Sequence, residues 1–120
     1  AEIINGDRVL LRKSNEVWHA FGYPCCGSSQ ICINRTLPLA AIIALEQGKE
    51  NRVEMLSALQ KIRALVAATE VYLWEQREMD KAFSLAEQIV KQIPVIKFSC
   101  RPNEQAVEVL KVFLEENGYV

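Results

Sequence analysis

Pro94-Val95-Ile96-Lys97-Phe98-Ser99-Cys100 is the stretch on which the class of this fold turns. Helical patterns flank it on both sides. Upstream, Asp80 is suited to cap a helix that buries Phe83, Ala86, Ile89 and Val90 and ends at Pro94. Downstream, Asn103 is suited to cap a last helix with Val107, Leu110, Phe113 and Leu114 inside and Gly118 at its close. Between them the residues alternate as a strand does, over a length that also suits an extended connector. As a strand, 95–100 could join a sheet built elsewhere in the chain, and the N-terminal segment offers one.

Residues 1–21 read as an antiparallel meander of two or three strands. Asn5-Gly6-Asp7 is a turn signal, because Asn and Gly reach positive φ cheaply. It separates Glu2-Ile3-Ile4 from Arg8-Val9-Leu10-Leu11-Arg12. Ser14-Asn15 is a second turn, leading into Val17-Trp18-His19-Ala20-Phe21. If 95–100 pairs with this meander, Cys100 comes close to the loop that follows. That loop, 22–36, holds Gly22, Pro24, Gly27, Ser28, Ser29 and Asn34, all breakers of regular structure.

From 37 to 120 the pattern is helical, with about four helices. Thr36 and Pro38 suit the start of the first, which runs through Ala40, Ala41, Ile42, Ile43 and Leu45 to Gly48. Asn51 suits the start of the second. Its apolar stripe is Met55, Leu59, Ile62, Val66, Thr69 and Leu73, widened by Leu56, Leu65 and Tyr72. The expected architecture is therefore α+β in a single domain, 1–120: meander, Cys-rich loop, helical part, and one further short strand near 95–100.

Segments 45–53 and 74–82, and the stretch leading to Glu104-Gln105-Ala106, each read as closing one helix and opening the next. The second, with Pro94 after it, resembles the turn and second helix of a tetratricopeptide repeat. The spacings, 29 from Val53 to Ala82 and 24 from Ala82 to Ala106, depart from the 34 of that family. A helical hairpin with a polar turn has the same look.

Composition excludes several classes. Of 120 residues, 50% are hydrophobic and the formal net charge is −1, which argues against disorder and against a global pull toward nucleic acid or an anionic membrane. No apolar run approaches the roughly 18 residues of a membrane span. No phosphate loop, G-x-G-x-x-G, H-E-x-x-H or G-x-S-x-G occurs. The carboxylates, among them Glu46, Glu50, Glu54 and Glu78, read as solvated faces rather than as an acid–base pair.

The four cysteines divide the functional readings. Cys25, Cys26 and Cys32 fall within eight residues and Cys100 stands apart. With His19 they are the available ligands for a structural zinc, although no C-x-x-C pair is present. Alternatively they form a disulfide, Cys32 with Cys100 or Cys26 with either, or a thiol redox switch in which Arg35 lowers the pKa of Cys32 and His19 serves as base. The plainer state of each is a small buried side chain.

The leading expectation is a non-catalytic protein-interaction domain of the inhibitor, immunity-factor, secretion-chaperone or adaptor type, needing no cofactor. Trp18, Tyr23, Trp74 and Tyr119 are the aromatic anchors such a surface favours, and Tyr72 is a fifth with a core role as its rival. The expected partner is a protein, or a second copy through the long helix stripe, rather than nucleic acid or membrane. The Cys-centred site, with zinc as its possible metal, is the alternative. The expected location is the cytoplasm, or outside the cell if the cysteines are oxidised and a leader preceded Ala1.

Overall fold

The computed structural model describes residues 2–70 and 74–119. The chain falls into two compact units, 1–39 and 40–120, each taken by itself.

The first unit is a three-stranded antiparallel sheet. Strands β1 (Val9–Ser14) and β2 (Val17–Gly22) pair with Ser14 opposite Val17, which leaves Asn15 and Glu16 as a two-residue turn. Both sit at positive φ, 49° and 63°, the conformation whose twist matches a hairpin. The third strand is not Glu2-Ile3-Ile4, as the turn at Asn5 suggests. It is β3 (Thr36–Pro38), which pairs along the far side of β2. Residues 2–5 instead lie along the Cys loop, where Asn5 makes an isolated bridge to Cys32. Gly22 ends β2 where the backbone bends back: a Cβ there would stand 2.0 Å from the carbonyl oxygen of Ile33, so only glycine fits.

The second unit opens with two strands where the sequence suggests a helix. Of the run expected to be the first helix, Thr36–Pro38 is β3 rather than a helix start and Ile42–Gln47 forms β4; Arg52–Met55 forms β5. The reason lies far away in the chain. Strand β6 (Val95–Cys100) runs between them, parallel to β4 and antiparallel to β5. A strand with a parallel neighbour can be apolar without alternating, so Ala-Ala-Ile-Ile-Ala-Leu does not declare its period. Pairing to β6 then outweighs the helix propensity of alanine, and β-branched Ile42 and Ile43 suit it. Strand β6 therefore does not join the N-terminal meander, and Cys100 lies in the second unit.

Among the described residues three helices, not about four, complete this unit: α1 (Ala58–Ala68), α2 (Gln76–Gln92) and α3 (Glu104–Glu116). Asn51 caps no helix. It accepts from the Arg101 amide at 2.8 Å and donates to Asn103 Oδ1 at 3.1 Å, tying the β4–β5 connection to the end of β6. Ser57 caps α1 instead: its Oγ accepts from the Gln60 amide while Gln60 Oε1 accepts from the Ser57 amide. So Met55, the first residue of the expected stripe, belongs to a strand, and Leu73 and Tyr72 lie outside the described residues. Segment 45–53 joins two strands, so the expected likeness among the three segments does not hold.

Helices α1 and α2 pack on each other as a hairpin. Helix α2 begins before Asp80, whose carboxylate accepts from Gln76, and buries Ala86 and Ile89 before Pro94 stops it. Helix α3 behaves as its sequence implies, with Asn103 accepting from the Ala106 amide at 3.0 Å. Its end is a Schellman motif: the Tyr119 amide donates to Leu114 O, the Gly118 amide to Glu115 O, and Gly118 sits at φ 69°. The Tyr119 ring meets Phe113 edge-on at 6.3 Å, the hydrophobic contact that accompanies this cap.

The core of the second unit is β6. Val95, Ile96 and Phe98 are its most buried side chains, Phe98 at 2% exposure. Phe98→Ala should lower unfolding free energy by about 3–5 kcal/mol. Leu45→Ala, on the neighbouring strand but 69% exposed, should change it by no more than about 0.5 kcal/mol. Denaturant titration of both variants at low protein concentration checks this.

Candidate functional site

The strand register of the second unit sorts its side chains onto two faces. On one, Glu54 lies opposite Lys97 and Glu46 opposite Ser99, with Ile42, Ala44 and the buried Val95 at the other end of the same face. Lys97 Nζ lies 2.9 Å from Glu46 and 3.8 Å from Glu54, Ser99 Oγ donates to Glu46 at 3.1 Å, and Arg52 pairs with Glu54. Hydrogen bonding from Lys97, then from Ser99, holds the Glu46 carboxyl below the usual carboxylate range. The Glu46 hydrogen bond in turn raises Lys97 above its ordinary value. These are cross-strand charge pairs between half-buried and exposed side chains.

The other face carries Ile43, Leu45, Ile96, Phe98, Cys100, Val53 and Met55, with Gln47 its one polar residue. Where α3 begins beside this face, a groove of about 520 Å³ opens, with Leu45, Phe98, Cys100, Val107 and Leu110 among its walls. Its lining is apolar, and Leu45 and Val107 remain 69% and 65% exposed. Arg101 and Glu104 stand at its polar edge. Two sequence features shape it. The Asn103 cap starts α3 three residues after β6 ends, and the alternation of β6 aims Phe98 and Cys100 to the groove side. Leu45 was invisible to sequence reasoning because a helical reading of 37–48 gave it no sheet face. Val107 was visible, as a core position of the last helix.

In the first unit, the Cys loop is organised around Asn5. Its side-chain amide donates to the carbonyls of Tyr23 and Cys25, both at 3.0 Å, while its Oδ1 accepts from the amides of Asp7 and Arg8 at 2.8 Å. Cys26 and Cys32 are joined as a disulfide, their Cα atoms 4.8 Å apart. That is one of the pairings the spacing left open. Cys25 is a free, exposed thiol, and Cys100 is free and half-buried. His19 sits in β2 opposite Arg12 and Pro38, its Nδ1 3.0 Å from Val17 O and its ring 6.3 Å from that of Phe21. Among the described residues, no group of three or more His, Cys, Asp or Glu side chains is placed to hold a metal ion.

The aromatic candidates have separate fates. Trp18 is 4% exposed, the one buried residue among the described residues of its unit. Tyr23 is half-buried and lines a cleft of about 330 Å³ with Pro24, Cys32 and Asn34. Tyr119 serves the α3 cap. Trp74 is 84% exposed, in the connection between α1 and α2. None of the four lines the apolar groove.

No helix among the described residues is long and apolar enough to cross a membrane. Comparison with protein-family models, with curated proteins and with solved structures finds no match.

Two outcomes follow for these sites. Alkylation of unfolded, unreduced protein should label two of the four cysteines, Cys25 and Cys100, and all four after reduction; mass spectrometry reads the count. Because Glu46 is lowered in the folded state, its contribution to stability is present above the unfolded carboxyl value and is lost as pH falls through the folded one. Lys97→Met should therefore move the Glu46 carboxyl titration, followed by carbon-13 NMR, upward toward the ordinary range, with the Ser99 hydrogen bond still holding it below, and should make the acid limb of stability less steep.

Proposed function

We propose that this chain is a small non-catalytic binding domain that acts by docking a protein partner on the apolar groove between β4, β6 and the start of α3. One observation carries the reading: Leu45 and Val107 are two-thirds exposed beside a groove whose walls are apolar, on a unit that has its own buried centre at β6. Apolar side chains left to water next to a concavity mark binding surfaces more often than isolated exposed ones do. The groove supplies apolar contact, and Arg101 and Glu104 at its edge would set orientation. This differs from the aromatic-anchor surface that the sequence suggests, since the anchors lie elsewhere. A balanced net charge fits a protein partner better than nucleic acid.

A Cys-centred function keeps one specific support. The exposed Cys25 thiol adjoins the Cys26–Cys32 disulfide, an arrangement open to thiol–disulfide exchange.

Val107→Lys tests the binding reading. The side chain is exposed, so circular dichroism and melting should be unchanged. A protein captured stoichiometrically by the wild-type chain from its native source should be lost at least tenfold with Val107→Lys, and retained with Cys25→Ser. Capture that survives Val107→Lys and fails with Cys25→Ser would transfer the function to the Cys loop.

A further inference from the structure

Among the described residues the two sheets end in four edge strands: β1 and β3 in one, β4 and β5 in the other. Exposed edges invite pairing, and proteins blunt them with short length, proline or charge. Three of the four are blunted. β3 has three residues and ends in Pro38. β5 has four and carries Arg52 and Glu54. β1 carries Arg12 and Lys13. β4, Ile42-Ile43-Ala44-Leu45-Glu46-Gln47, is six residues long with no proline and no cation. Its one charge, Glu46, is bound to Lys97 on its own sheet.

The hydrogen bonds of β4 fix which of its groups are available. The Ile42 amide donates to Pro94 O and the Gly48 amide to Cys100 O, so even-numbered residues direct their main chain to β6. Ile43, Leu45 and Gln47 direct theirs outward.

We propose that a second copy of this chain pairs with β4 along this edge, antiparallel and centred on Leu45. A two-fold contact between identical edges must be antiparallel. Leu45 opposite Leu45 is the one register that pairs all three outward residues of β4 among themselves, Ile43 taking Gln47 of the other copy. Each such pair exchanges two main-chain bonds, about six in all. Directly opposed residues share a face, so the two Leu45 side chains meet on the apolar side, beside Val107 of each copy. On the opposite side Glu46 faces Ala44, and no like charges oppose. The result is a continuous six-stranded sheet with two grooves joined across the seam. The proposal rests on reading this face as a contact surface, and it names a partner for its β4 edge.

Sedimentation velocity across a hundredfold range of concentration should show reversible dimer formation. Hydrogen exchange should slow at Ile43, Leu45 and Gln47 as dimer forms, with Ala44 and Glu46 unchanged. Leu45→Lys places two ammonium groups at the two-fold axis and should weaken the dimer at least tenfold. Met55→Lys, on the same face at the opposite edge and similarly exposed at 65%, should leave it intact. A chain that stays monomeric throughout overturns the proposal, as does a dimer that Met55→Lys weakens as much as Leu45→Lys does. Because Val107→Lys is scored on a different protein captured by the groove, a monomer that still captures it would end the dimer alone and leave the binding reading in place.

Discussion

The second unit depends on the burial of one strand. β6 has a strand on each side and its apolar residues Val95, Ile96 and Phe98 are withdrawn from water. It is the strand with which both β4 and β5 pair, and among the described residues these two do not pair with each other. Its ends also anchor the helices: Pro94 stops α2 at one, and the Asn51–Arg101 and Asn51–Asn103 bonds fix the start of α3 at the other. Burying such side chains stabilises by roughly 1.5–3 kcal/mol each, well above what the cross-strand charge pairs of the same sheet contribute.

The groove is a consequence of this arrangement. Leu45 and Met55 share the face of Phe98 at the two edges of the sheet, and both remain exposed. The core draws on both faces of β6, Ile96 and Phe98 on one and Val95 on the other. On the Val95 face Lys97 also pairs with carboxylates on both neighbouring strands.

Legibility of the sequence followed the locality of the forces. The Ser14-Asn15 turn, the stop at Pro94, the strand at 95–100 and both ends of α3 were readable because their causes lie within a few residues. The segment 42–47 was not, because it pairs with β6, some fifty residues on. That one misreading moved the whole site: as a helix, Leu45 is one more core residue, whereas as an edge strand it borders the groove. The N-terminal turn failed differently. Asn5 is a turn former by type, but its side chain reaches across to the Cys loop rather than closing a hairpin. For the cysteines, spacing allowed several pairings, and the Asn5–Cys32 bridge brings the relevant stretch into register.

The most direct test is the backbone of residues 42–47 in solution, read by proton NMR. If β6 sets the fold, amide protons of Ala44 and Glu46 will show cross-strand contacts to β6 in the evenly spaced parallel pattern, with strong sequential Hα–HN contacts along β4. A ladder of successive amide–amide contacts through 40–46, the mark of a helix, would remove both the sheet and the groove built upon it.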